Sequence, residues 1–350
     1  MKLSRHSKYQ NSCVRLDELP EPPRGKTGWP WTEQSRCLPS QGPAGGSWPR
    51  LSVVTPSLNQ GQFIEETIRS VLLQGYPNLE YLILDGGSTD NTVEIIKKYS
   101  SWLSYWVSQT DRGQSDAINR GLTLASGDFA TWINTDDLLA KNALVEHASR
   151  IGFALDTVYV GDCIYIDETS KVLSLHRSRV QSLEDLVRIK TVWNAGGHIV
   201  QPEALFAREL ALSIGGLNPD NHFTMDYELW GKLLLAGAKL QYTEIPFGIF
   251  REHPEQKIHD VLRTTESLLE TAAKLIRLGD RFSEETKRDL LADLDAYRVK
   301  YHKDYWRGTG RLARIGLPRE IVVQLRSLKT ILKKTNKVLS RNASRSFTEK

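Results

Sequence analysis

The stretch LSVVTPSLNQGQFIEETIRSVLLQGYPNLEYLILDGGSTDNTVEIIKKY, residues 51–99, decides the fold. LSVVT is an apolar run of strand length that Pro56 interrupts. FIEETIRSVLLQ follows at 63–74, with Phe63, Ile64, Ile68, Val71 and Leu72 on one helical face. LEYLILD (79–85) is a second strand, ended by Gly86 and Gly87, and Thr89 and Asp90 are good caps for a helix carrying Val93, Ile95 and Ile96. The alternation continues downstream. SYWVS (104–108) is a third strand, 113–125 a helix, DFATWI (128–133) a fourth strand and TVYVGD (157–162) a fifth. Strands alternating with helices of this length predict βαβ units and a doubly wound, mostly parallel α/β sheet with helices on both faces.

Ligands of such sheets sit beyond the carboxyl ends of the strands, so the segments to inspect are 55–59, 85–90, 110–116 and 134–137. They offer carboxylates and hydroxyls: Asp85 and Asp90, Asp111 and Asp116, Asp136 and Asp137. The first strand is followed by TPSLNQG, which is neither GxGxxG nor GxxxxGK[ST], so a dinucleotide dehydrogenase and a P-loop kinase are excluded. A site rich in acids and poor in glycine can hold phosphates through a divalent cation, Mg2+ or Mn2+. The adjacent Asp136 and Asp137 suit that cation or a ribose hydroxyl, although an Asp pair also caps helices. Asp85 can accept from the ring N–H of uracil, thymine or guanine, or can simply form the turn before Gly86.

The flanks differ. Residues 1–49 contain Pro20, Pro22, Pro23, Pro30, Pro39, Pro43 and Pro49 and read as an irregular extension, with Trp29, Trp31 and Trp48 available to dock it. Residues 50–255 carry the α/β pattern, divided at 137. Beyond 160 it loosens into helices at 182–190 and 225–236 and a strand at 239–245. From 256 the chain reads as helices with a break at Gly308–Gly310. The segment 296–350 holds 15 Lys and Arg against 3 Asp and Glu, so of the overall +4 the rest of the chain carries −8. An acidic body argues against nucleic acid as a partner, and a basic tail favours an anionic surface. No apolar stretch spans a membrane, the amino-terminal residues show no secretory signal, and the three cysteines share no metal-ligand spacing, so a reducing cytoplasm is expected.

The ordered set TPSLNQ, DGGSTDNT, DRGQSDAINRG and NTDD, over 51–137, resembles the family 2 glycosyltransferases with the GT-A fold. QPEALFARELALSIGGLNPDNHFTMDYELWGKLLLAG (201–237) resembles their acceptor-side half, so the likeness spans roughly 50–255. It implies a donor pocket with Thr55, Pro56 and Ser57 against the nucleoside. Asp85 would read the base, and Asp111 and Arg112 would line the nucleotide. Asp136 and Asp137 would take the ribose and metal roles. Asn134 stands where the fuller DxDD motif begins with Asp, which leaves open which of the two ligates the metal. Asp226, in MDYELW, is implied as the general base, with Glu228 as the other carboxylate of that helix. A carboxylate within reach of an acceptor hydroxyl can take its proton as the new bond forms. His253, in FREHPEQKI, is implied at the metal or diphosphate, and WNAGGH (193–198) with Gln201 and Pro202 at the acceptor. Trp230 reads as core.

The resemblance thus implies an inverting, Mn2+- or Mg2+-assisted transfer from a nucleotide sugar, UDP-sugar first, to a glycan or lipid-linked acceptor. A sugar-phosphate nucleotidylyltransferase would carry a Gly-rich, Arg-bearing loop after the first strand, and TPSLNQG is not one. A non-catalytic nucleotide-sugar or glycan sensor would not need Asp136, Asp137 and Asp226 together. In 319–339, REIVVQLRSLKTILKKTNKVL, an apolar stripe with Lys and Arg around it reads either as a helix lying on the inner face of a membrane or as one packed on the body.

Overall fold

The computed structural model describes residues 13–42 and 45–313, with side chains to residue 305 apart from Ile258. The strands are β1 (Leu51–Ser57), β2 (Leu79–Asp85), β3 (Tyr105–Ser108), β4 (Phe129–Trp132), β5 (Leu138–Leu139), β6 (Thr157–Asp167), β7 (Val172–His176), β8 (Ala204–Ala207) and β9 (Lys239–Glu252). The helices are α1 (Ile64–Leu72), α2 (Thr92–Lys98), α3 (Gln114–Leu124), α4 (Ala143–Ala148), α5 (Leu183–Val187), α6 (Arg208–Ser213), α7 (Met225–Leu235), α8 (Val261–Leu278) and α9 (Glu284–Ala313).

One sheet runs β3-β2-β1-β4-β8-β6-β9-β5, with β7 on β6. The pairings among β3, β2, β1 and β4 are parallel, as βαβ crossovers require. Beyond β4 the sheet is mixed: β8 lies antiparallel to both β4 and β6, whereas β6 and β9 are parallel. The sheet separates two cores. Val53 and Val54 are both fully buried, one facing the core with Ile64 and Ile68 of α1, the other the core with Ile118 of α3 and Trp230 of α7. This follows from successive strand side chains pointing to opposite faces. A strand buried on both faces reads as a continuous apolar run, which LSVVT is. α3 packs against β1 so closely that a Cβ on Gly121 would meet Val54 Cγ1 at 2.4 Å. Trp230 is core, stacked on Trp132 at 5.7 Å between ring centroids.

The strand expected at 239–245 continues to Glu252, and that extension carries the chain to the site. The helix expected at 182–190 is two pieces, α5 and a π-helical turn over Ile189–Gly197. The break expected at Gly308–Gly310 is absent, because α9 runs on to Ala313. Glycine costs a helix only about 1 kcal/mol per residue, and extending an existing helix is far easier than starting one.

Before β1 the described chain holds one 3-10 turn, Leu16–Glu18. Arg69 of α1 fixes this extension. Its guanidinium donates to the carbonyls of Pro20 (2.8 Å), Trp31 (3.0 Å) and Pro30 (3.2 Å). Trp31 and Trp48 are buried, and Trp29 Nε1 donates to Leu139 O at 3.0 Å. No described helix is long and apolar enough to cross a membrane. The basic stripe at 319–339 lies outside the described residues.

Candidate functional site

A cavity of about 610 Å³ opens at the carboxyl ends of β1 and β4, where the strand order places a ligand crevice. One wall comes from residues 56–60, 111–117 and 134–137, and the facing wall from residues 193–201 and 222–227. β9 and the loop after it, with Phe250, His253 and Lys257, close the cavity.

On the first wall, Pro56 and Ser57 leave β1 into the cavity. Ser57 lines the cavity, and its Oγ is buried with no hydrogen-bond partner among the described residues. Thr55 faces the other way, its hydroxyl 3.0 Å from Tyr81 Oη in the core. Asp111 lines the cavity and accepts from Gly113 N at 2.8 Å. Arg112 does not line it. Its side chain is 80% exposed and pairs with Asp116 at 2.8 Å. Asp85 is not brought to the cavity either. Its carboxylate accepts from Gly87 N (3.1 Å), Ser88 N (2.9 Å) and Ser108 Oγ (2.6 Å), which fixes the turn 86–88. That turn backs Asp111, since a Cβ on Gly86 would meet Asp111 Oδ2 at 3.0 Å.

Asp136 and Asp137 leave β4 together but point differently. Asp136 Oδ2 lies 2.9 Å from His253 Nε2. Asp137 turns inward. Its Oδ1 accepts from Arg251 N (3.0 Å) and its Oδ2 from Asn134 Nδ2 (3.2 Å). Burial pushes the Asp137 carboxyl well above the usual range, and the neighbouring Asp136 charge pushes it further. Among the described residues no three His, Cys, Asp or Glu side chains converge as a ligand group. Asp136 and His253 provide two ligand atoms, and Mg2+ or Mn2+ usually completes its shell with waters and substrate phosphates. Asp136 with His253 beside it therefore fits a share in holding a hard cation that arrives with a diphosphate.

On the facing wall Asp226 begins α7 in the cavity, with its Oδ1 accepting from Tyr227 N at 2.8 Å. Burial raises its pKa to about 6, near the range in which a carboxylate acts as a general base at neutral pH. Glu228 is not a second base. Its carboxylate points into the protein and accepts from Lys274 Nζ (2.6 Å), Asn221 Nδ2 (2.9 Å) and Asn218 Nδ2 (3.1 Å).

Comparison with known proteins gives these carboxylates a family context. Residues 52–214 match the model of the Glycosyl transferase family 2. They form a family 2 glycosyltransferase domain. A Rickettsia typhi protein described as an uncharacterized glycosyltransferase is 25% identical over 255 residues, covering 69% of this chain and 74% of its own. A Rickettsia felis relative of the same description is 28% identical, and the match spans 35% of its length. Among solved structures, Staphylococcus aureus TarS 1–349 in complex with UDP superposes with a TM-score of 0.54 at 20% identity, covering 70% of each chain. A mannosyltransferase from Pyrobaculum calidifontis, in complex with GDP-Man and Mn2+, gives a TM-score of 0.50 at 20% identity over 80% of this chain and 87% of its own. The shared fold is GT-A.

The site is also braced by residues that the motifs did not assign to it. Gln201, noted only as an acceptor contact, ties the walls together: its Nε2 donates to Trp132 O (2.6 Å) and its Oε1 accepts from Asn134 Nδ2 (3.0 Å). Gln114 Nε2 donates to Asn134 Oδ1 at 2.7 Å. Arg251 is 1% exposed. It pairs with Glu66 at 3.0 Å and donates from Nε to Asp136 O at 2.9 Å, so it holds the aspartate turn from behind. Its only signal in the sequence is a charge inside a strand otherwise apolar at IPFGIF. Opposite the strand ends Trp193, His198 and Tyr165 line the cavity, and Pro202 does not. Glu203, just beyond, is wholly buried with its carboxyl pushed well up by that burial. It accepts from Val200 N at 2.9 Å and meets Ser178 Oγ, bracing the segment that carries His198.

Proposed function

We propose that this protein transfers a glycosyl group from a nucleotide-sugar donor to an acceptor hydroxyl with inversion, with divalent-metal assistance. The observation that carries the reading is the single cavity in which Ser57, Asp111 and Asp136 face Asp226 across a space of nucleotide-sugar size.

The donor's nucleoside lies against Pro56, Ser57 and Asp111. For Asp85 to read the base, Ser88 or Ser108 must first release its carboxylate. Asp136 and His253 would hold a Mn2+ or Mg2+ ion, which when bound would neutralise charge on the departing diphosphate. Asp137 stays behind Asp136, fixed by Arg251 N and Asn134. The acceptor enters between Trp193, His198 and Tyr165. Asp226 takes the acceptor hydroxyl proton. The acceptor oxygen bonds the anomeric carbon from the face opposite the diphosphate, and the bond to the diphosphate oxygen breaks. Attack from the opposite face inverts the anomeric centre. UDP-sugar is the first donor, since UDP accompanies the TarS structure, and GDP-sugar the second. The acceptor class is a glycan or a lipid-linked glycan, with the enzyme cytoplasmic or held at the inner membrane face by 319–339.

The test is a thermal-shift panel of UDP, GDP, dTDP and CDP with and without Mn2+, since a ligand that binds only the native state raises Tm by mass action. A manganese-dependent rise for one nucleotide, followed by release of that nucleotide from its sugar form, is the expected result. No shift with any of the four would end the proposal.

A further inference from the structure

Five acidic side chains line the cavity, those of Asp111, Asp136, Asp137, Asp226 and Glu255. Lys257 is the single Lys or Arg among the described lining residues. A leaving nucleoside diphosphate brings further negative charge, so the cavity needs positive charge beyond one cation.

Lys257 stands where that charge arrives. It lies four residues beyond His253, which is 2.9 Å from Asp136. The intervening loop folds onto His253: His259 Nε2 meets His253 O at 2.9 Å, and Gln256 N donates to the same carbonyl at 3.3 Å. Lys257 Nζ then donates to Gln114 Oε1 at 3.2 Å, and Gln114 Nε2 donates to Asn134 Oδ1 at 2.7 Å. The ammonium is thus held beside Asn134 and at the start of α3, whose dipole also favours an anion there. Among the described residues its hydrogen-bond partner is a neutral amide rather than a carboxylate, and an ammonium has three donors, so it can bond phosphate oxygen without leaving Gln114.

Resting on the nucleotide-sugar reading above, we propose that Lys257 binds the terminal phosphate of the donor's diphosphate and holds it as the leaving group departs. The side chain is exposed, so replacing it leaves the fold intact, and a melting curve verifies this. The full chain, Lys257→Met and Lys257→Arg are titrated calorimetrically with UDP, UMP, GDP and GMP in the presence of Mn2+. For whichever diphosphate the wild type binds, Lys257→Met weakens binding about tenfold, while the matching monophosphate changes by less than about twofold. Lys257→Arg recovers most of the loss. Equal affinity of wild type and Lys257→Met for that diphosphate, or an equal loss for the monophosphate, overturns the assignment of Lys257 alone. If the wild type binds neither UDP nor GDP, the nucleotide-sugar reading falls and takes this inference with it.

Discussion

Asp111 and Asp85 are each held by an amide two residues downstream, whereas Gln201 reaches 69 residues back to Trp132 and Arg251 reaches 185 residues back to Glu66. At 85–88 and 111–113 the wall at the strand ends is built of local turns, whereas its 134–137 segment is tied to Arg251, His253 and Gln201. The facing wall and the loop closing it depend on β8 and β9 joining the sheet from far along the chain. Local turns are fixed by a few adjacent residues and tolerate damage singly. The non-local clamp is one piece, and its loss should be felt throughout the molecule.

The largest effect is therefore expected at Arg251. Arg251→Met leaves Glu66 charged and buried without its partner, which costs about 3–5 kcal/mol. Urea unfolding should show a lower midpoint, and Glu66→Leu added to Arg251→Met should recover much of it. A single Arg251→Met variant as stable as the wild type would mean that β9 is held by other contacts, and the contrast between the walls would dissolve.

The same contrast explains what was legible in the sequence. The parallel half could be read because turn chemistry adjoins its apolar runs: Pro56 near the end of β1, Gly86 and Gly87 after β2, Asn134 through Asp137 after β4. Asp136, Asp111 and Ser57 were reachable by the rule that ligands lie beyond strand ends. That rule cannot say where a side chain turns next. Thr55 faces Tyr81, Asp85 faces its own turn and Arg112 faces Asp116. Asp226 was selected by resemblance, since a carboxylate in the first turn of a helix serves the helix dipole equally well. Arg251, Gln201 and Lys257 were not singled out for these roles, because their partners lie 185, 69 and 143 positions away and no local pattern encodes that.

Next in size is the chemistry of the facing wall, under the proposed transfer. Asp226→Asn keeps the shape and removes the proton acceptor, so transfer should fall about 10²-fold, roughly 2.7 kcal/mol, with donor affinity little changed. Single-turnover kinetics beside nucleotide titration separate the two. Near-normal transfer would move the base elsewhere, and Glu228 is already committed to Lys274.

A smaller and more diagnostic effect is the pH profile. With the Asp226 pKa raised by burial to about 6 from an ordinary 3.8, the basic form is lost as pH falls through 6. Below that point kcat/KM should drop about tenfold per pH unit, and above pH 7 it should be flat. The stability linkage has the opposite sense. A carboxyl whose folded pKa is raised favours folding while protonated, and that contribution is lost as pH rises through about 6. Asp226→Asn, neutral throughout, should then be more stable than the wild type above pH 6. A rate that stays flat down to pH 4 would show that the facing wall is wetter than its burial implies.

The smallest effect is expected at Arg112, where the resemblance and the geometry part. The resemblance puts Arg112 along the nucleotide, yet its guanidinium lies outside the cavity, paired with Asp116 one helical turn on. An exposed ion pair of this kind contributes little and is screened by salt. Arg112→Ala should change the affinity for UDP by no more than about twofold in physiological salt. Asp111, its neighbour, lines the cavity, so Asp111→Ala should weaken UDP measurably more than Arg112→Ala does. If the order is reversed, and Arg112→Ala costs tenfold while Asp111→Ala costs nothing, then the turn at 111–113 swings when nucleotide binds. Gly113 holds that turn at φ 111°, a conformation only glycine adopts easily, and Gly113→Ala would then strain it and weaken UDP further. The wall at the strand ends would be the mobile one, and the rigid frame of the site would be the clamp around Arg251.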